Sequence, residues 1–281
     1  MFFEHVMSEL PLLVFSVLVP AGVTAMGLVG FLRGSVEMDG KKANTLLAIP
    51  GVITILGLLA SFMHLGSPMK VFGMLSGIGS SPLSNEICIA GLAILAAVVY
   101  WIFAAVKNPE AGVHKIFGII CLVLGLATAL FIGLAYMIPT VATWSSPVSS
   151  IAQIFAALFG GAALAALVMV FAGAKVEKLV SLVAVVGAAG MAVLVIAQGI
   201  MVGDVQNAAG MTMAGRMSFY WYVAVAGIIL VAAAAALLLT NAGKKSSLTT
   251  VLVLVAAFAA IVGMVLVRMC FYGIFMSVGL F

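Results

Sequence analysis

Eight uninterrupted apolar segments constrain this chain more than any other feature of its sequence. A helix that crosses a bilayer needs about 20 consecutive apolar residues, and only 7% of the 281 residues are charged. The apolar–polar alternation of a membrane β-barrel is absent, and helices satisfy their own backbone hydrogen bonds in lipid. The sequence therefore predicts an all-α integral membrane protein with eight transmembrane helices. The spans are expected at residues 11–32, 45–64, 82–106, 116–138, 150–173, 179–202, 218–240 and 248–269.

Positive charges are distributed unevenly between the loops. Nine of the twelve basic residues lie after spans one, three, five and seven. Because loops rich in Lys and Arg stay in the cytoplasm, we expect both termini, and the loop after span two, on the outer side of the membrane. The need for positive charges in the cytoplasmic loops thus explains the calculated pI of about 9.1. No nucleic-acid partner is predicted. The nine residues are Arg33, Lys41, Lys42, Lys107, Lys115, Lys175, Lys178, Lys244 and Lys245.

The loops are too short to form a separate soluble domain, which usually takes about 50 residues or more. We therefore expect residues 1–281 to form a single polytopic membrane domain, with any soluble catalytic machinery on another polypeptide. Long outer connections after spans two and six indicate two four-helix bundles of parallel orientation. Residues 1–10 lack the basic start of a cleaved signal peptide, so this segment is expected to remain attached.

Metal-ligating residues are few and scattered. No C-x-x-C pair occurs, and a bis-histidine haem needs two histidines at matching depth on facing helices. The sequence therefore predicts no haem, no iron–sulfur cluster and no other metal in this chain. The cysteines are Cys88, Cys121 and Cys270, and the histidines are His5, His64 and His114.

The connection between spans two and three carries two signals for a helix start. Ser-Pro pairs at 67–68 and 81–82 each combine an N-cap serine with a proline at the first helical position. The first pair predicts a short helix at the membrane interface. The second predicts the start of span three, which places Glu86 about one turn inside that helix, near or below the outer membrane surface.

Glu86 and His64 are the proton-exchanging side chains placed closest to hydrocarbon. A charge at mid-bilayer costs about 2.5 to 3.5 kcal/mol, so an intramembrane Glu indicates a functional site. The alternatives are that Glu86 only interacts with the helix dipole and that His64 is simply solvated at the interface. Their shared outer location favours a joint role in taking protons from a hydroquinone. Since this chain lacks an electron acceptor, the electrons are expected to pass to another subunit.

Two runs resemble the signature of the membrane-anchor subunit of the dimethyl sulfoxide reductase family: residues 64–69 (HLGSPM) and 83–87 (LSNEI). Weaker similarities extend over the whole chain. They are carried by Glu9-Leu10-Pro11-Leu12, Ile138-Pro139-Thr140 with Trp144, Gln198-Gly199, and Arg268 with Phe271-Tyr272-Gly273.

The resemblance implies an eight-helix anchor in a bacterial cytoplasmic membrane, with both termini outside, acting in anaerobic respiration. It also implies two partners on the outer face, a four-cluster iron–sulfur subunit and a molybdopterin catalytic subunit. The expected ligand is menaquinol, oxidised to menaquinone, and the residues matching the family's catalytic pair are His64 and Glu86. The partner determines the terminal acceptor, so the resemblance stops at the quinol side.

Three further quinol-binding candidates are predicted from their depth and side of the membrane: Asn85, Arg268 and Tyr272. They place menaquinol between spans two, three and eight. The alternative for Arg268 is an interface anchor or an ion pair with Glu86.

Two other functions compete with quinol oxidation. One is a purely structural anchor without quinone chemistry. The other is a small-solute transporter, which midplane charges on broken helices would favour. Against the transporter, no Lys, Arg, Asp or Glu is expected mid-span, and the prolines Pro20, Pro50 and Pro139 are expected near segment ends.

Overall fold

The computed structural model describes residues 2–64 and 71–279. Within these ranges, eight helices are long and apolar enough to cross a membrane, which confirms the predicted all-α class and number of spans. The helices are α1 (Phe2–Ser8), α2 (Leu10–Phe31), α3 (Gly40–Leu46), α4 (Ala48–His64), α5 (Val71–Met74), α6 (Pro82–Lys107), α7 (Ala111–Ala135), α8 (Pro147–Phe171), α9 (Lys178–Gly203), α10 (Ala214–Thr240) and α11 (Ser247–Gly273).

The spanning helices pack as two groups of four. In the first bundle, α2 packs against α4 and α7, and α6 packs against α7. In the second, α8 packs against α9 and α11, and α10 packs against both α9 and α11. The two bundles meet mainly where α2 lies against α8. The predicted pair of four-helix bundles therefore matches the packing.

The first helix of each bundle forms the centre of the protein. In α2 and α8, 83% and 78% of the residues in the most apolar stretch of the helix are buried inside the protein. In the other six spans the buried share is 28–39%. Glycines allow this contact: a Cβ added to Gly161 of α8 would lie 2.6 Å from the Thr24 side chain of α2. Close approach through small residues is the usual way in which helices associate in lipid.

Span two begins earlier than the apolar pattern predicts, at residue 40 rather than 45. Asp39 caps α3 by accepting a hydrogen bond from the Lys42 backbone N–H at 3.1 Å. Lys41 and Lys42 make this first turn polar, which is why an apolar window omits it. Since Pro50 cannot donate a backbone hydrogen bond to Leu46, the helix is interrupted between α3 and α4.

Pro20 lies in the middle of α2, not near a segment end as expected. A proline inside a helix cannot donate a hydrogen bond to the carbonyl four residues earlier, which here belongs to Ser16. The side-chain amide of Gln153 in α8 donates to that carbonyl at 3.2 Å. The central pair of helices is therefore joined by a polar contact that compensates for the proline.

This pairing can be measured with a double-mutant cycle. We expect Gln153→Leu to lower the free energy of unfolding by about 1–3 kcal/mol, because the Ser16 carbonyl loses its donor in a buried position. In a Pro20→Ala background, the restored backbone N–H can bond that carbonyl, so the same substitution should cost clearly less. Thermal unfolding of the four proteins in detergent measures the coupling, and equal costs in both backgrounds would contradict it.

One end of the protein, here called the terminal face, carries residues 2–9, 76–81, 136–146, 204–213 and 274–279. The C-terminal segment crosses it and joins loops from both bundles. Val278 donates a backbone hydrogen bond to Thr140 at 3.0 Å, and the Asn207 side chain donates to Ser277 at 3.3 Å. The loops after spans four and six are thereby held around the end of α11.

Candidate functional site

Each helix of the first bundle brings one proton-bearing side chain to the terminal face. α2 begins directly after Glu9, α4 ends at His64, α6 carries Glu86 about one turn inside, and α7 ends one residue before Tyr136. Because successive spans run in opposite directions, these starts and ends lie at the same end of the bundle. The two predicted catalytic residues therefore share this end with Glu9 and Tyr136, to which the sequence assigned no chemical role.

Glu86 is buried, with 7% of its surface exposed. Within residues 2–64 and 71–279, its carboxylate has no hydrogen bond and no ion pair within 4.0 Å. The predicted alternative of a direct ion pair with Arg268 is therefore not formed, although the guanidinium acts on Glu86 electrostatically. An unpaired buried carboxylate is costly when ionised, so this position suits a group that takes up a proton.

The start of α6 is organised as the Ser-Pro signal at 81–82 predicts. The Ser81 hydroxyl oxygen accepts a hydrogen bond from the Ser84 backbone N–H at 3.4 Å. Asn85, predicted to bind quinol, uses its side-chain oxygen to accept from the Gly79 N–H at 2.7 Å. Its amide therefore holds the turn that precedes α6. The other Ser-Pro pair, at 67–68, and most of the 64–69 signature run lie outside the described residues.

His64, the last residue of α4, contacts a carboxylate from the start of α2. Its Nε2 atom lies 4.0 Å from Oε2 of Glu9, and the two side chains are 39% and 27% exposed. Both side chains are thus partly exposed at the terminal face, whereas Glu86 is buried. The sequence noted Glu9 only as part of a family similarity, and no local pattern indicates that it would meet a residue 55 positions away.

Arg268 is 5% exposed and lies between the two bundles. Its Nε donates to the Ser16 hydroxyl oxygen at 3.1 Å and its Nη2 to the Tyr272 hydroxyl oxygen at 3.5 Å. The guanidinium carbon also lies 4.2 Å from the centre of the Phe271 ring, a favourable cation–π contact. Arg268 is therefore buried among α2 and aromatic rings, and is not an exposed interface anchor.

Tyr272 is fully buried and links Arg268 to Tyr136. Its hydroxyl donates to the Tyr136 hydroxyl oxygen at 2.9 Å. The Trp144 indole donates to the Phe271 carbonyl at 2.9 Å, which fixes the end of α11 beneath the loop after span four. Arg268 and Tyr272 thus contact Tyr136 at the end of the first bundle. Their own helix, α11, packs mainly on α10, α8 and α2.

A narrow cavity of about 30 Å³ lies on the other side of Arg268, between α2, α8, α9 and α11. Gln153 and Gln198 contribute its amide groups, and the Gln198 Nε2 is buried without a hydrogen-bond partner. A space of this size holds about one water molecule. It is too small for a quinone ring.

The other histidines lie elsewhere. His114 is buried near the opposite face, where its Nδ1 lies 2.9 Å from the Tyr100 hydroxyl. His5 in α1 packs against Phe275, with 4.9 Å between the two ring centres. Burial, with a smaller effect from Arg216, lowers the pKa of the His5 imidazole. In the described part of the chain, no group of three or more His, Cys, Asp or Glu side chains is placed to hold a metal ion.

Fold and site together define a class of protein: a multi-pass helical membrane subunit that carries proton-exchanging side chains at one end. The sequence profile of the family described as DMSO reductase anchor subunit (DmsC) matches residues 4–274. The chain belongs to this family, which confirms the resemblance seen in the sequence. It is therefore a multi-pass bacterial membrane protein from a family of anchor subunits of an oxidoreductase complex.

Three relatives show the same similarity. The anaerobic dimethyl sulfoxide reductase protein YnfH of Escherichia coli (strain K12) is 28% identical over 192 residues, which cover 66% of this protein and 68% of the relative. The C subunit of the anaerobic dimethyl sulfoxide reductase of Haemophilus influenzae is 29% identical over 54% of this protein and 56% of its own length. The C subunit of the Escherichia coli enzyme is 29% identical over 59% of each sequence.

Proposed function

We propose that this chain anchors a dimethyl sulfoxide reductase-type complex in the membrane and oxidises menaquinol at the terminal face. The observation that carries the proposal is Glu86, which is 7% exposed in a spanning helix and has no bonded partner among the described residues. Intramembrane ionisable groups are expensive and are generally retained for function. A purely structural anchor gives no reason for an unpaired carboxylate at this depth.

The proposed reaction assigns both protons of the quinol to residues of the first bundle. Oxidation of menaquinol to menaquinone releases two electrons and two protons. Glu86 takes a proton from one hydroxyl group, and His64 takes the proton from the other. Glu9, at 4.0 Å from His64, provides the next carboxylate toward the surface.

The electrons pass to another subunit of the complex. Family membership supports an iron–sulfur subunit as their acceptor and a molybdopterin subunit as the site where the terminal acceptor is reduced. Both would dock on the terminal face beside the quinol. We propose that the two bundles act as a single membrane domain, with the contact of α2 and α8 holding the site together.

We also propose that the terminal face lies outside the cytoplasm. Nine of the twelve basic residues lie at or near the opposite face, as the positive-inside rule requires of the cytoplasmic side. Protons and electrons would then both leave toward the outside, which makes the step electroneutral.

Cysteine labelling tests this orientation. Ser145 is exposed at the terminal face and Ser247 at the opposite face. With the three native cysteines replaced, a membrane-impermeant maleimide is expected to label Ser145→Cys in intact cells and Ser247→Cys only after lysis. The reverse labelling pattern would place the terminal face in the cytoplasm.

The His64 side of the site is tested in the assembled complex. We expect His64→Leu to lower quinol-driven turnover by about 10- to 100-fold, because a proton acceptor is lost. Glu9→Gln should give a smaller decrease, since Glu9 acts after His64. Turnover driven by a soluble dye that reduces the partner subunits directly should stay unchanged. Normal quinol-driven turnover in both the His64 and Glu86 variants would favour the purely structural anchor.

A further inference from the structure

We propose that Tyr136 donates a hydrogen bond to the quinol oxygen whose proton Glu86 accepts. Arg268 and Tyr272 position Tyr136 through their contacts with its ring and its hydroxyl group. The proposal rests on the proposed quinol oxidation and adds a residue to that site. It also changes the part given to Arg268 and Tyr272, which were predicted to contact the quinol themselves.

The direction of the hydrogen bonds leaves one proton available. A guanidinium can only donate, so the Tyr272 oxygen accepts from Arg268, at 3.5 Å. Tyr272 then donates its own proton to the Tyr136 oxygen, at 2.9 Å. Within the described residues, the hydroxyl proton of Tyr136 has no acceptor. The series of donors therefore ends in a hydroxyl group that can bond a ligand.

Of these three residues, Tyr136 is the most exposed. Tyr272 is 0% and Arg268 is 5% exposed, whereas Tyr136 is partly exposed where α7 ends. The Tyr136 ring is held by edge-on contacts with Trp144, Phe271 and Tyr272, at 5.3–5.5 Å between ring centres. Its orientation is thus fixed by packing before any ligand binds.

The positive charge of Arg268 suits Tyr136 to stabilise a developing negative charge. Arg268 lies 5.3 Å from its ring centre, and both Arg268 and Glu86 act on it electrostatically. In a low-dielectric site, a hydrogen bond that starts from a cation polarises the bonds that follow it. The Tyr136 hydroxyl is therefore a stronger donor than an isolated phenol. Since α6 packs against α7, Glu86 near the start of α6 and Tyr136 just after the end of α7 lie at the same end of the bundle.

The step balances with the quinol as the only reactant in this chain. The O–H bond of one quinol hydroxyl breaks and its proton moves to the Glu86 carboxylate. The resulting quinolate oxygen keeps the electron pair and accepts the Tyr136 hydrogen bond. The proton of the second hydroxyl moves to His64, and both electrons leave to the iron–sulfur subunit of the proposed complex as the ring becomes a quinone. Tyr136 keeps its proton throughout and acts by stabilising the oxygen anion.

The test uses the assembled complex in membrane vesicles and two readouts, quinol-driven turnover and the Kd of a fluorescent quinol analogue. Tyr136→Phe removes only the hydroxyl group. We expect it to lower quinol-driven kcat/KM by about 10- to 100-fold and to weaken analogue binding, as the loss of a hydrogen bond to a charged group predicts. Tyr272→Phe should reproduce a smaller part of both effects.

Two matched controls carry the same chemical change away from the site. Tyr222→Phe alters a side chain that is 74% exposed on α10. Tyr100→Phe breaks a buried hydrogen bond to His114 near the opposite face. Neither control should change the Kd of the analogue. If all tyrosine variants weaken it equally, general loosening of the fold explains the effect and the proposal is overturned.

A second variant keeps the shape of the residue. Incorporation of 3,5-difluorotyrosine at position 136 leaves the ring in place and makes the hydroxyl a stronger donor, so the analogue is expected to bind more tightly. Unchanged binding in this variant, or a Tyr136→Phe variant with lower turnover but the same Kd, would overturn direct contact with the quinol. If Glu86→Gln and His64→Leu also leave turnover normal, the proposed quinol site itself fails.

Discussion

Replacing Glu86 by Gln is expected to lower quinol-driven turnover of the assembled complex by about 100-fold or more, because removal of a general base commonly costs 10²- to 10⁴-fold. Gln has nearly the same size, so α6 should keep its packing. The measurement compares turnover driven by menaquinol with turnover driven by a soluble dye that reduces the partner subunits directly. Only the quinol-driven rate should fall.

Glu110→Gln is the matched control for Glu86. Glu110 is exposed at the N-terminus of α7, at the opposite end of the same bundle. The substitution makes the same change in charge and should leave both rates unchanged. Equal rates in the Glu86 and Glu110 variants would remove Glu86 from the reaction, and a parallel loss of the dye-driven rate would indicate failed assembly instead.

The largest effect on stability is expected for Gly118→Ala in α7. A Cβ at this position would lie 2.7 Å from the Gly30 carbonyl carbon and 2.9 Å from the Gly27 carbonyl oxygen of α2, and would also meet the Phe31 nitrogen. Backbone atoms cannot move aside as a flexible side chain does. The helices must therefore separate, and we expect the free energy of unfolding to fall by about 3 kcal/mol or more.

Gly112→Ala in the same helix provides the comparison. A Cβ there would meet nothing within 4 Å, and alanine is the better helix former by about 1 kcal/mol. This variant should unfold at an unchanged or slightly higher temperature in detergent, whereas Gly118→Ala should yield much less monodisperse protein. Similar unfolding temperatures would contradict the close contact between α2 and α7.

Much of the candidate site could be found by reading along the chain. The N-cap serine Ser81 and the following Pro82 indicate the start of α6. This start alone places Glu86 about one turn inside a span. His64 follows in the same way from the end of an apolar segment. These inferences succeed because a cap and a span length are local properties that neighbouring residues determine.

The partners of these residues could not be found in that way. Arg268 meets Ser16 across 252 positions of sequence, and Tyr272 meets Tyr136 across 136. Pro20 is compensated by Gln153 of another helix. None of these residues belongs to a periodic pattern that points to its partner, because the pairing depends on which helices become neighbours.

The sequence by itself determined the class of protein, the number of spans and the positions of Glu86 and His64 near the ends of two spans. Hydrocarbon imposes those features on each segment separately, through its length, apolarity and end residues. Only the tertiary structure decided that Glu86 has no bonded partner among the described residues. It also decided that Glu9 lies beside His64 and that Arg268 contacts the ring of Tyr136. In lipid, helices associate through the fit of small residues and a few polar contacts, and that fit exists only once the helices have packed.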